Sequence, residues 1–505
     1  MAPSASSIRP FLALAAVLAL AGCATGRLRP ADTRLPMAFE APVPAKTADI
    51  DLDQWWRLYD DPQLTELVEQ ALAHSPDARD AASKLRQARA VRAGALSSYD
   101  PQGALSASTT REQLGLLESP SAFGQALGGT EIIGGGLGST GAGGGAGGIS
   151  TLGASQTAQG AFSVSWELDL FGRRDSARKS ANTDLRTALF TAAATRWSLT
   201  ADVADSLFQA RGLALQLVEA EDTLRDEQQL LDIAKAKVEH GLSPASDEAQ
   251  TESNVFTAQA QAQDLTAQLT AARRSLLLLV GRGVDPLASL PVPAKVGSPP
   301  PIPAAVPGEL LARRPDVLEA HERVLSASGK LSLDQKAFLP TFGIQPGVGL
   351  LQETASSASR LSFWSIGLNA TQPVLDMPRL LAQMRAQSAV GEQAVIAYEK
   401  AVQTAYGDAE NAFVYFASDS RRLDLLKAAE QDADQAYQAK LTGYRRGLND
   451  LQSTLTAEAS WREARIARAS AETTLMQRSV QVFKALGGGW PAPGQTLAHS
   501  GGAAG

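Results

Sequence analysis

The chain has 505 residues, with 46 Lys and Arg against 53 Asp and Glu, a formal charge of −7 at pH 7. That acidic balance argues against nucleic acid as a partner, and the single cysteine, Cys23, excludes an internal disulfide. Aromatic residues make up only 6%, while Ala, Leu, Gln and Arg fill long stretches, a composition suited to long helices and coiled coils.

Residues 1–22 read as a targeting segment: Arg9, then an apolar run from Phe11 to Ala21 that is short for a membrane-spanning helix. Leu20-Ala21-Gly22-Cys23 resembles the lipobox of bacterial lipoproteins, which implies cleavage before Cys23 and acylation there, palmitate included. Ala24, where Asp would signal retention, favours the outer membrane under the same rule. The alternative is an ordinary secretory signal with a stray cysteine.

Residues 23–61 follow as a proline-rich, lipidated tail with Trp55-Trp56 near its end. A short helix is expected over 62–74. Ser75 then caps a helix reaching about Ser98, with Pro76 in its first turn and Asp77 favouring its positive end. Four stretches alternate with period two: 102–111, 161–170, 341–350 and 361–371. In the last, Trp364, Ile366, Leu368 and Ala370 alternate with Ser365, Gly367, Asn369 and Thr371. Strands of that length suit a tilted membrane crossing; a soluble antiparallel sheet with one wet face is the other reading. Four strands cannot close a membrane barrel alone, so membrane strands would make the chain an obligate oligomer, twelve strands in a trimer.

The glycine-rich stretch 112–159 reads as a long extracellular loop, and 352–360 as its short counterpart. Gly136 to Gly141 matches the dinucleotide fingerprint formally, but no helix opens after it, so nucleotide binding is not expected. Long helices are expected over Asp175–Glu239 and Arg379–Thr442, with return helices at 246–282 and 450–486 after glycine turns at Gly241-Leu242 and Gly447-Leu448. A proline-rich stretch, 285–307, joins the two halves, and residues 491–505 read as a disordered tail.

The halves correspond. Ser75-Pro76-Asp77 recurs as Arg314-Pro315-Asp316, and Pro101 as Pro340, at an offset of 239. Arg173 and Arg379, Asp202 and Asp408, and the two glycine turns correspond at 206, so the first half carries 33 extra residues between its strands. The organisation is therefore a signal at 1–22, a tail at 23–61, repeats at 62–290 and 308–490, a linker at 291–307 and a tail at 491–505. The four histidines, His74, His240, His321 and His499, are scattered and stand in no metal-ligand spacing with one another or with Cys23. No enzyme activity is expected.

Trp166-Glu167-Leu168-Asp169-Leu170-Phe171-Gly172-Arg173, Leu310 to Asp316, Pro373-Val374-Leu375-Asp376 and Tyr444-Arg445-Arg446-Gly447-Leu448 resemble signatures of the outer-membrane factor family of tripartite efflux systems, in its lipoprotein (NodT/TolC-like) branch. The resemblance implies an α+β homotrimer with a shared 12-stranded β-barrel in outer-membrane lipid and a long periplasmic α-helical barrel. It implies a passive duct exporting small toxic compounds or drugs, with a periplasmic adaptor protein and an inner-membrane efflux transporter as partners. No cofactor is implied beyond the covalent lipid on Cys23. The exit duct of a protein secretion system and a pore-less periplasmic coiled-coil scaffold are the alternatives.

By the same resemblance the glycine turns lie at a closed periplasmic tip. Tyr444 and Arg445 match positions that hold the tip shut, and Asp247, Asp450 and Ser453 line the region. Many members carry an aspartate where this chain has Thr456, so Asp450 stands in as the acidic candidate. Arg445 as a solvated residue at a helix C-terminus, and Asp450 as a simple cap, are the plainer readings.

Overall fold

The structure is a computed structural model that describes residues 28–41, 52–112, 155–303, 306–354 and 358–490. Cys23, the signal segment, the core of the glycine-rich loop, His499 and the C-terminal tail lie outside the described residues. The elements are α1 (Pro62–His74), α2 (Pro76–Ser97), β1 (Gln102–Glu112), β2 (Ser155–Leu168), α3 (Arg173–Glu239), α4 (Ala245–Leu279), α5 (Pro307–Arg313), α6 (Pro315–Lys336), β3 (Thr341–Thr354), β4 (Ala358–Thr371), α7 (Met377–Arg445) and α8 (Leu451–Ala485). The order helix, strand, strand, long helix, return helix thus occurs twice. No described helix is long and apolar enough to cross a membrane.

The chain divides into two compact units. One holds the strands, a four-stranded antiparallel meander in the order β1-β2-β3-β4. Leu105 stands opposite Phe162, Phe162 opposite Val348, and Val348 opposite Trp364, so one row crosses all four strands on one face. Ile366, Leu368 and Leu350 share that face, and all are exposed. The other face carries Ser163, Gly347 and Ser365 in one row and Glu167, Gly343 and Asn369 in another, with Leu351, Leu361 and Phe363 as its large apolar members. The β2–β3 ladder is interrupted where Val164 and Ser165 run opposite Pro346 and Gln345, because proline has no N–H to give.

The strands are longer than their alternation predicts. β2 begins at Ser155, not 161, and ends at Leu168; β3 continues to Thr354, and β4 begins at Ala358. The loop boundaries 112–159 and 352–360 are corrected accordingly. The extra residues in β2 (Ser155 to Gly160) have no apolar face, so periodicity cannot find them. β2 stops early because Asp169 turns away to cap α3, accepting from the N–H of Arg173 at 2.6 Å and of Arg174 at 3.0 Å. Gly172, at φ +74, makes the turn, and its carbonyl accepts from Lys336 Nζ at 2.6 Å. α7 also starts earlier than expected: Pro378 falls in its first turn, where a missing N–H costs nothing.

The other unit is helical. Its core gathers Trp55, Leu64, Val68, Leu207, Phe208, Leu276, Phe413 and Phe483. Trp55 and Trp56 do not end an extended tail but lie buried in a short 3-10 turn, Trp55 stacked on Phe483 at 5.4 Å. Asp61 caps α1 through the N–H groups of Gln63 and Leu64 and pairs with the buried Arg211 of α3. The proline-rich stretch is packed, with Val296 and Ile302 in the core and Arg273 donating to the carbonyls of Leu287 and Leu290. Residues 28–41 lie along α7: Arg29 pairs with Glu399 at 2.8 Å, and Phe39 stacks on Tyr406. Phe483→Ala is expected to cost about 3–5 kcal/mol, the usual loss for a buried aromatic, read as a lower thermal midpoint of the helical circular-dichroism signal.

Candidate functional site

The helical unit ends in two glycine turns built alike. After α3, the N–H of Gly241 donates to Val238 O at 2.9 Å and that of Leu242 to Lys237 O at 2.7 Å. After α7, the N–H of Gly447 donates to Tyr444 O at 3.1 Å and that of Leu448 to Gly443 O at 2.8 Å. Both glycines sit in the left-handed region, at φ +70 and +77, where a Cβ would be strained. The turns close the two helical hairpins, α3–α4 and α7–α8.

The hairpins touch through Tyr444. Its ring is buried among Leu230 of α3 and Leu451 and Leu455 of α8. Lys237, on α3, lies over the ring with its ammonium 3.4 Å from the centroid, and donates to the Tyr444 carbonyl at 2.9 Å. One side chain of the first hairpin thus grips both the ring and the backbone of the second. Burial raises the Tyr444 hydroxyl above its ordinary pKa and lowers that of Lys237, while the charge of Asp247, in the first turn of α4, favours the protonated form of both. The Tyr444 hydroxyl is itself buried without a partner among the described residues.

Of the residues expected from the sequence, Tyr444 therefore sits in the contact, gripped by Lys237, and Asp247 acts on both through its charge alone. Arg445 points to solvent and makes no hydrogen bond or ion pair among the described residues. Asp450 caps α8, accepting from the Ser453 N–H at 2.7 Å, and that bond holds its carboxyl below the usual range. The Ser453 hydroxyl donates back to Asp450 O at 3.2 Å. Within one chain Asp450 and Ser453 thus make a cap and stand apart from the Lys237 contact. Thr456 is exposed and bonds only its own helix, at Gln452 O.

Sequence reasoning missed Lys237, one of two lysines (with Lys235) near the end of a largely polar helix. It also missed a buried group further from the turns, Glu227 of α3 with Glu458 and Arg462 of α8. The spacing of Glu458 and Arg462 is visible in the sequence, but that pattern ordinarily marks an exposed helix pair.

The profile of the family described as "Outer membrane efflux protein" matches residues 67–282 and 306–488. The chain belongs to this family. The two matched segments contain both glycine turns and all four strands, and the gap between them falls in the proline-rich stretch. Membership places the protein in the outer membrane and its work in efflux. Among relatives, the chain is 29% identical over 483 residues to the pyoverdine export outer membrane protein OpmQ of Pseudomonas putida, covering 95% of this chain and 97% of that one. The outer-membrane channel OprN has the same fold, with a TM-score of 0.77 at 24% identity, over 93% of this chain and 100% of that one. So has the CmeC outer membrane channel of Campylobacter jejuni, with a TM-score of 0.80 at 18% identity, over 94% and 97%.

Proposed function

We propose that three copies of this efflux protein assemble into one passive duct that carries small molecules out through the outer membrane. The observation that carries this reading is the sheet: four strands, one apolar exposed face and two unpaired edges, β1 and β4. An open edge is not tolerated in lipid. Since β1 and β4 run in opposite senses in the meander, β4 of one copy can continue antiparallel onto β1 of the next. Three sheets then give the twelve strands of a closed barrel. A 14-residue strand, such as β4, is about 46 Å long and at a 45° tilt spans about 33 Å, the thickness of a bilayer's hydrocarbon. The helical units of the three copies close the periplasmic tube, and each copy contributes one duplicated helix-strand-strand-helix-helix repeat pair.

A duct makes and breaks no bond, so no catalytic group or cofactor is needed. Its partners are a periplasmic adaptor and an inner-membrane transporter. The export of pyoverdine by one relative, and of toluene by another, the TtgF protein of Pseudomonas putida, supports small organic molecules as cargo. The gate is the pair of turns, with Lys237 and Tyr444 holding the two hairpins together and the charge of Asp247 favouring the protonated lysine. Arg445 and the Asp450–Ser453 cap are free to meet a neighbouring copy. Acylated Cys23 anchors each chain peripherally in the outer-membrane lipid.

Two measurements test this. Cys23→Ser is expected to abolish incorporation of labelled palmitate while leaving a heat-labile trimer in the outer-membrane fraction; label retained on the variant would discard the anchor. Purified wild-type protein inserted in a planar bilayer is expected to conduct weakly. No current from any variant despite verified insertion would instead favour a scaffold without a pore.

A further inference from the structure

Two carboxylates from different hairpins are buried side by side above the turns. Glu227 of α3 is 0% exposed and Glu458 of α8 is 2% exposed. A single guanidinium serves both: Arg462 Nη1 donates to Glu227 Oε1 at 3.2 Å and to Glu458 Oε1 at 3.4 Å. The second oxygen of Glu227 is buried with no partner among the described residues. If both carboxyls were ionised, two negative charges buried away from water would share one partly exposed guanidinium, with an acceptor left unsatisfied. One proton on Glu458 removes both faults. It neutralises the excess charge and supplies an O–H that Glu227 can accept.

The other groups facing the pair do not change this balance. Asp226 of α3 adds negative charge. Asn254 of α4 favours the ionised form of Glu227, a pull that burial outweighs. Tyr437 of α7, with Arg445 acting on it, is buried and stacked on Trp461 at 5.0 Å. Arg462 favours ionisation. Burial outweighs it and raises both carboxyls, Glu458 from the usual 4.5 to about 7.

We propose that Glu227, Glu458 and Arg462 form a proton-dependent clasp between the two hairpins, closed while the carboxyl pair holds a proton and slack once that proton leaves. The proposal rests on the duct reading, with its gate at the turns. The unfolded chain loses this proton near the usual glutamate value, whereas the packed hairpins keep it. The clasp's contribution is therefore whole below pH 4.5 and lost as the pH rises to about 7. Acidic surroundings hold the hairpins together, and neutral to alkaline ones release them.

The test is single-channel recording of the full-length protein at about pH 5.5 and about pH 8.5. Wild-type open probability is expected to rise about tenfold over this interval. Glu458→Gln and Glu227→Gln, which keep a donor or acceptor but cannot ionise, are expected to stay low at both pH values. A wild type indifferent to pH, or a full rise in Glu458→Gln, would overturn the clasp. Lys237→Ala is recorded alongside: current there with a pH-blind wild type overturns the clasp alone, while silence everywhere overturns the duct and the clasp with it. Infrared spectroscopy gives a readout independent of gating. A buried protonated-carboxyl band that vanishes near pH 7 in the wild type and is missing from Glu458→Gln supports the proposal, the comparison removing the band of Asp205, which burial also raises to about 7. Absence of that band in acidic buffer overturns it.

Discussion

Replacing Ile366 by arginine is expected to abolish the outer-membrane trimer. Ile366 lies in β4 on the same face as Trp364 and Leu368, exposed within one chain, and would face lipid in the proposed barrel. An arginine on the lipid face near the bilayer midplane costs about 2–4 kcal/mol. Three copies bring three such charges, about 6–12 kcal/mol per assembly, which is comparable to the whole stability of a typical domain. The measurement is the fraction of heat-labile trimer in outer-membrane extracts. Ser365→Lys is the control, one residue away on the opposite face beside Gly347. Because side chains alternate, that shift moves the charge from lipid to water, and trimers are expected to persist. Equal loss in both variants, or in neither, would remove the barrel assignment.

The second large effect belongs to Lys237. Lys237→Ala removes both the ammonium over the Tyr444 ring and the hydrogen bond to the Tyr444 carbonyl. Lys237 is partly exposed, so the two contacts together are worth about 2 kcal/mol per copy after solvent screening. That corresponds to about a thirtyfold change in the balance between closed and open turns. Single-channel open probability should rise accordingly. Tyr444→Phe keeps the ring and the carbonyl and loses only a hydroxyl that has no partner among the described residues, so it should alter conductance little. Tyr444→Ala empties the pocket between Leu230, Leu451 and Leu455 and should resemble Lys237→Ala. A Tyr444→Phe variant as leaky as Lys237→Ala would mean that the hydroxyl bonds a neighbouring copy and that the lysine is incidental.

Much of this architecture can be read from the residues. Alternation in 361–371 assigns the two faces of β4 correctly, and the glycine turns mark where each long helix stops. The helical partnerships are harder to see. α3 and α7 contact different neighbours along their lengths, so neither keeps one apolar stripe, and periodicity says helix without saying which side is buried. Tyr444 is legible because it stands beside a glycine turn. Lys237 and Glu227 are not, since their importance comes from α7 and α8, over two hundred positions away in the chain. The buried tryptophans at 55 and 56 show the same limit in reverse: a proline-rich approach suggests open chain, yet tertiary packing draws them into the core.

The two glycine turns share one hydrogen-bonding pattern at an offset of 206 positions, but the contacts across the hairpins do not repeat. At that offset Tyr444 corresponds to Val238 and Lys237 to Gly443; Arg462 corresponds to Phe256, and Glu227 to Ala433. No reciprocal grip can form from the other side. A ring of six hairpins in a trimer would therefore have only three-fold symmetry at its tip, with three hairpins holding and three being held. An opening that keeps this symmetry would displace the two kinds of hairpin unequally, so the aperture would widen as a triangle rather than as a circle.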